Sequence, residues 1–297
     1  MNPVPFVFVD VFSDRPLEGN PLAVVPDADA IDEPTMRRIA REFNQSETTF
    51  LLKPEEGDAD WYLRSFTPAG HEVTGAGHNA LGAWWWLAVS GRLTLREGRN
   101  AFRQRIASHV LPVDVVFAKG AVQSVVMQHA APRFGKTVND AALLAAAVGL
   151  HANELLPEGR AAQVVSTGAA HLLIPVLDRS AIERANPDSA KLLSILRASG
   201  GEGAYLFCRD VVHSGSAAHA RFFNPTVGIV EDAATGTAAG PLAAWLVKNG
   251  LESHGVVRIE QGFTMGRPSV ISIEVGQEMV SISGRGCVSI EGTLQLA

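Results

Sequence analysis

Three polar residues stand where the chain passes from one element to the next: Glu47 in NQSETTF, His78 in GHEVTGAGHNALGAWWW and Asp232 in GIVEDAATGTAAG. Two carboxylates and an imidazole are the groups that take, polarise and return protons on a small substrate. Position alone leaves other roles open. Glu47 falls between a helix and a strand, where connecting segments commonly carry function, yet the place equally suits an exposed turn carboxylate or one bonding local N–H groups. His78 opens a helix, which fits a hydrogen bond at the helix start or a packed imidazole. Asp232 just precedes another helix, which fits an N-cap. Both helices open with small residues, which leaves their first N–H groups approachable with the positive end of the helix dipole behind them. Two such openings facing each other would hold a small anion, most naturally a carboxylate; the alternative is that the small residues merely let the helices pack closely.

The two stretches are copies of one unit. Sliding one onto the other brings Gly70 over Gly228, Val73 over Glu231 and Gly82 over Gly240, with Gly91 close to Gly250, and places His78 and Asp232 near corresponding points. The elements that must position them follow from periodicity. PFVFVDVF and PLAVVP read as strands, and Asp32 with Pro34 caps a helix through MRRIAREF with Met36, Ile39, Ala40 and Phe43 on one face. NQSETTFLLKP turns into a strand, and DWYLRSFTP is another. The helix from His78 carries Trp84, Trp85 and Trp86, which cover about 200° of its circumference, so it is apolar nearly all round, as a helix enclosed by sheet would be. VLPVDVVFA and AVQSVVMQHA, a helix AALLAAAVGL, paired strands in QVVSTGAAHLLIPVL, and a helix SAKLLSILRAS stopped by Gly200 and Gly201 come next. AYLFCRD and AHARFFNP precede the second opening, and a ladder of short alternating strands closes the chain. The pattern predicts antiparallel β architecture with a few helices.

A length of 297 residues with 46% apolar composition suits two domains with real cores. A net charge of −6 without a Lys/Arg run argues against nucleic acid or an anionic membrane as partner. No basic leader or long apolar run is present, so the expected location is the cytoplasm. The two cysteines, Cys208 and Cys287, lack CxxC spacing and suggest neither a disulfide framework nor structural zinc.

Other chemistries fit poorly. Gly75-Ala76-Gly77-His78-Asn79-Ala80 matches a loose GxGxxA dinucleotide fingerprint, with Glu97 at the distance of a ribose-binding acid, but no apolar strand leads into the first glycine. ATGTAAG lacks the GK[ST] of a phosphate loop. No GxSxG occurs, and His71 and His78 sit in no HExxH or paired-Cys arrangement. Neither cofactor nor metal is expected.

At these same residues the chain resembles the PhzF-like phenazine-biosynthesis family, whose fold is shared with diaminopimelate epimerase. VDVF, EGNPLAVV, IAREFNQSETTFLL, RSFTPAGHEVTGAGHNALG and FFNPTVGIVEDAATGTA carry the match over most of the length. The resemblance implies an α+β protein of two similar domains, residues 1–128 and 129–297, with the C-terminal strand free to return to the first. Each would be a β-barrel-like antiparallel or mixed sheet around a central helix, with the active site between them and a homodimer as the assembly. It implies that Glu47 is the acid/base, that His78 and Asp232 hold and polarise the substrate, and that Gly77, Gly236 and Thr237 lie at the openings that receive its carboxylate. For Glu47 to work so, partial burial must bring its acidity toward neutrality. Two-cysteine epimerases of this fold carry thiols at both turns; here Ala76-Gly77 and Ala234-Thr235-Gly236 stand there, so one carboxylate must take and return the proton. Where the family usually reads GHPT and EDPATGS, this chain has His78-Asn79-Ala80 and Asp232-Ala233-Ala234-Thr235-Gly236-Thr237, changes expected to alter the pocket lining and the preferred substrate more than the catalytic core. The expected function is a cofactor-independent isomerase moving a proton within a small carboxylate-bearing substrate. An epimerase of a small acid and a noncatalytic small-acid binder are the alternatives.

Overall fold

Proline, capping residues and glycine stops divide the chain as the periodicities predict. The computed structural model describes residues 3–54, 57 and 59–296, and the chain divides into two compact units, Met1–Gln128 with Ser283–Ala297, and His129–Ile282. The first unit holds β1 (Val4–Val11), β2 (Asn20–Val25), α1 (Glu33–Phe43), β3 (Thr48–Leu52), β4 (Trp61–Phe66), β5 (Glu72–Val73), α2 (His78–Val89), β6 (Gly98–Ile106), β7 (His109–Ala118) and β8 (Ala121–His129). The second holds β9 (Arg133–Val138), α3 (Ala141–Val148), β10 (Ala162–Ser166), β11 (Ala170–Pro175), α4 (Arg179–Arg184), α5 (Ser189–Ser199), β12 (Gly203–Cys208), β13 (Ala218–Asn224), β14 (Ile229–Asp232), α6 (Gly236–Lys248), β15 (Gly255–Gln261), β16 (Ser269–Val275) and β17 (Val280–Gly284). The last strand, β18 (Gly286–Leu294), pairs antiparallel with β1 and so belongs to the first unit. Among the described residues no helix is long and apolar enough to cross a membrane.

The sheets are mixed, not antiparallel throughout. β2 runs parallel to β3, with α1 between them in sequence, and β4 runs parallel to β6 on either side of α2. The second unit repeats this, β11 parallel to β12 and β13 parallel to β15, with helices in each connection. Each helical crossover returns the chain in its original direction, which hairpins cannot do. Alternation in the sequence marks the strands without marking their direction, so the parallel pairs were not legible there.

Each unit wraps its central helix. From His78 to Ala88 every residue of α2 is buried, and the helix packs on β1, β2, β3, β7 and β18. Trp84 finds a partner for its indole N–H in Gln104 at 2.9 Å, which removes the cost of burying it. α6 is buried from Ala238 to Leu246 against β10, β11, β15 and β16. The repeated mid-helix glycines serve close approach. A Cβ on Gly82 would lie 2.6 Å from Val11 Cγ2, and one on Gly240 would lie 2.7 Å from His129 Nδ1. At these two positions the packing explanation of the small residues holds.

Candidate active site

Asp32 accepts from the Thr35 N–H at 3.0 Å and starts α1, which ends at Asn44 in the left-handed conformation. That stop turns the chain through Gln45 and Ser46 and delivers Glu47 to the head of β3. α2 begins at His78, close by within the same unit: Nδ1 of His78 is 3.7 Å from Oε2 of Glu47. At that distance the two attract electrostatically but share no direct hydrogen bond. The Glu47 side chain is 16% exposed and that of His78 8%, so Glu47 is not an exposed turn carboxylate. The other imidazole nitrogen, Nε2, lies 3.3 Å from Oγ of Ser46, whose hydroxyl is 3.4 Å from Oδ1 of Asn20. Ser46 therefore orients the ring that faces Glu47. It belongs to the SETTF run, but only the fold shows what it touches.

The first helix opening is partly closed on itself. Asn79, 1% exposed, accepts from the Gly77 N–H at 2.7 Å and donates to the Gly75 carbonyl and to Ser65 Oγ, each at 3.1 Å. Gly77 is at the opening, as expected, yet its own N–H is engaged by Asn79. A proline, usual here in the family, has no side-chain amide to make these bonds.

The second unit organises its opening differently. Asp232 ends β14, and the N-cap position of α6 falls three residues further on at Thr235, whose side chain makes no capping bond, so Asp232 is not the N-cap. The slide that superposes the two openings sets His78 over Gly236 and Asp232 over Thr74, so His78 and Asp232 are not counterparts. Asp232 is buried, and its Oδ2 accepts from the Thr235 hydroxyl. Gln261, fully buried, donates to Thr235 Oγ1 at 3.0 Å and to the Asp232 carbonyl at 2.7 Å. It accepts from the Thr235 N–H at 3.0 Å and the Tyr205 hydroxyl at 2.8 Å. Burial, with the Asp232 charge adding to it, holds the Tyr205 phenol well above its ordinary pKa, so it remains a donor. A directed chain thus runs from Tyr205 through Gln261 and Thr235 to the Asp232 carboxylate. Gly236 and Thr237 are the first two residues of α6, whose N–H groups have no intrahelical acceptor. Tyr205 and Gln261 lie on separate strands far from the opening in sequence, and no motif announced them.

One device steadies both openings. Arg64 donates to Glu72 through Nε at 2.7 Å and Nη2 at 2.8 Å, and stacks on Phe66 at 5.1 Å. Arg221 donates to Glu231 through Nε and Nη2, both at 2.8 Å, and stacks on Phe223 at 4.9 Å. Each clamp ties β4 to β5 or β13 to β14 just before the helix opens. Two-pronged Arg–carboxylate geometry fixes the short strand more tightly than a single bond would.

Neither cysteine falls in the two turns. Cys208, in β12, is buried and its thiol is pushed up to about 12 by burial, and Cys287 is in β18. Among the described residues no group of three or more His, Cys, Asp or Glu is placed to hold a metal ion.

The model of the phenazine biosynthesis-like proteins matches residues 9–292. The chain belongs to this family. It is 33% identical to a trans-2,3-dihydro-3-hydroxyanthranilate isomerase of Pseudomonas fluorescens, over 98% of this chain and 99% of that one. A PhzF-family phenazine biosynthesis protein of Bacillus anthracis superposes with a TM-score of 0.91 at 25% identity, covering all of both chains. A probable proline racemase from Agrobacterium radiobacter, 14% identical with a TM-score of 0.61 over 99% of this chain and 93% of that one, shares the fold. The fold is thus the α+β, diaminopimelate epimerase-like one, and the protein is an isomerase of the PhzF family.

Proposed function

We propose that Glu47 is the single acid/base of a cofactor-independent isomerisation of a small, carboxylate-bearing cyclic or enol-like molecule. The observation that carries this is the pairing of a mostly buried Glu47 carboxylate with the His78 imidazole 3.7 Å away at a helix start. Glu47 takes a proton from a substrate carbon, the electron pair of that C–H bond moves into the conjugated system, and the resulting carboxylic acid returns the proton to another carbon. Atoms and electrons balance without an oxidant or a second reactant. His78 steadies the charge that develops on the substrate. On this reading Asp232, Gly77, Gly236 and Thr237 are substrate contacts. Because Asn79 engages the Gly77 N–H, the carboxylate is assigned to the Gly236–Thr237 opening, where two N–H groups and the helix dipole favour an anion.

The relative's dihydro-hydroxyanthranilate belongs to this chemical class. Asn79 and Ala233, which stand at the family's usual proline positions, favour a related acid over that same compound for this chain. With two unpaired cysteines a reducing cytoplasm suits the protein, and pairing of exposed strand edges favours a homodimer. Light scattering that gives the monomer mass across micromolar concentrations overturns the dimer. The catalytic reading is tested by proton NMR in deuterated water with a panel of cyclic carboxylic acids, trans-2,3-dihydro-3-hydroxyanthranilate among them. Wild type is expected to place solvent deuterium on a ring carbon and Glu47→Gln to place none. Exchange at the wild-type rate in that variant removes Glu47 from the mechanism, and inversion at one carbon without a shifted double bond makes the enzyme an epimerase.

A further inference from the structure

Thr237, the second residue of α6, has a partner that no motif includes. His171, on β11, places Nε2 3.3 Å from Thr237 Oγ1. The ring is 3% exposed and stands edge-on to Phe222, with centroids 5.0 Å apart. Its other nitrogen, Nδ1, is buried and makes no hydrogen bond among the described residues. It faces Gly203, where a Cβ would lie 3.2 Å from it and 2.5 Å from Phe222 Cζ. Either the hydroxyl or the imidazole can donate across the 3.3 Å contact, and the far nitrogen decides which. A proton on Nδ1 would be a buried donor with no acceptor, a rarer and less tolerated state than an unused lone pair. The ring proton therefore sits on Nε2 and points at Oγ1, and Thr237's own proton is turned away from His171. Burial drives the imidazole down to about 4, which keeps the ring neutral, with one proton to place.

We infer that His171 is a positioning residue: by donating to Thr237 Oγ1 it makes the Thr237 hydroxyl a dedicated hydrogen-bond donor to the substrate's carboxylate. The reverse bond would present hydroxyl lone pairs to an anion and repel it. The inference rests on the reading of Thr237 as a carboxylate contact. The Gly203 backbone and the Phe222 ring complete the device by denying Nδ1 any acceptor.

The test combines a double-mutant cycle with a direct look at the proton. Benzoate, a carboxylate on a six-membered ring, serves as the calorimetric probe. Thr237→Val and His171→Leu are each expected to weaken its binding about tenfold, and the double variant to be no worse than either within about twofold, since both remove one directed bond. His171→Gln, whose side-chain amide reaches Oγ1, recovers most of the affinity, which a packing role would not allow. Nitrogen-15 NMR of the unliganded wild type should show the His171 proton on Nε2. That measurement needs no ligand, and a proton on Nδ1 overturns the inference outright. Additive losses in the cycle overturn it while leaving Thr237 as a carboxylate contact. Unchanged binding in Thr237→Val removes that contact and the inference together.

Discussion

The residue that enters the third strand of the first unit is Glu47; the residue at the same place in the second is Gly203. The strand registers establish the correspondence. Thr48 pairs with Phe66 and Ala204 with Phe223, the two phenylalanines carry the stacked arginines, and Ala23 and Leu172 lie beside Thr48 and Ala204 on the parallel side. Where the first unit sets a carboxylate against His78, the second fills the space with the Phe222 ring and His171. The helix openings contrast as well. Asn79 turns its amide back onto the Gly77 N–H, whereas Thr237, its counterpart, is held from behind by His171. The repeat conserves the scaffold, its clamps and its close-packed glycines, and divides the chemistry. On the proposed reading, Glu47 in the first unit carries the base and the Gly236–Thr237 opening in the second carries the anion seat.

The largest expected effect tests that division. Glu47→Gln should lower turnover at least about a hundredfold, close to 3 kcal/mol of barrier, with an unchanged circular dichroism spectrum and melting temperature. Comparable turnover from the variant would place the base elsewhere and dissolve the asymmetry. The clamps come next. Arg221 and Glu231 are 10% and 15% exposed, and Arg221 also donates to the Ile182 and Ala185 carbonyls at 2.8 Å. Arg221→Met leaves a buried carboxylate and two carbonyls without that donor, and should cost about 3 kcal/mol. Arg64→Met should cost about 1 kcal/mol, because Glu72 and Glu33, to which Arg64 Nη2 also donates at 2.6 Å, are 27% and 44% exposed and can rehydrate. Urea unfolding midpoints compare the two directly, and equal shifts would show the clamps to be energetically the same.

A smaller effect separates the halves by pH. Burial holds His129, at the end of β8 where the second unit begins, and His171, within that unit, at about 4 against an ordinary 6.5. The unfolded chain therefore takes up protons first, so stability present above about pH 6.5 is lost progressively as pH falls toward 4. Glu260, also in the second unit, adds to this. Burial works to raise its carboxyl, but bonds from His219, the Val212 and His213 amides and Ser216 outweigh it and hold the group at about 2. Its contribution is present above about pH 4.5 and lost as pH falls toward 2. Amide hydrogen exchange followed by mass spectrometry as pH is lowered should show His129–Ile282 opening before the first unit; simultaneous opening would refute this. The smallest effect concerns the closed opening. Asn79→Ala should cost about 1 kcal/mol from lost hydrogen bonds, with turnover reduced less than by Glu47→Gln. A loss of turnover as large as that of Glu47→Gln would make the first opening part of the anion seat after all.

The sequence by itself determined the elements that bring the candidate residues to their places. Asp32 and Pro34 start α1, the alternating Val and Phe residues make β1, three consecutive tryptophans require an enclosed α2, and the paired glycine-rich turns announce the repeat. These features act within a few residues of chain, where capping, φ/ψ preference and periodicity have their range. The tertiary structure alone decided what those residues meet. Parallel pairing came from helical crossovers, the N-cap position fell at Thr235 and not at Asp232, and Gln261 and Tyr205 arrived from distant strands to order the second opening. So did the opposition of Glu47 to His78, and of Gly203 to Phe222 and His171. Hydrogen-bond direction and burial depend on groups brought together from different strands or along a sheet register, and a linear pattern carries no record of which strand lies beside which.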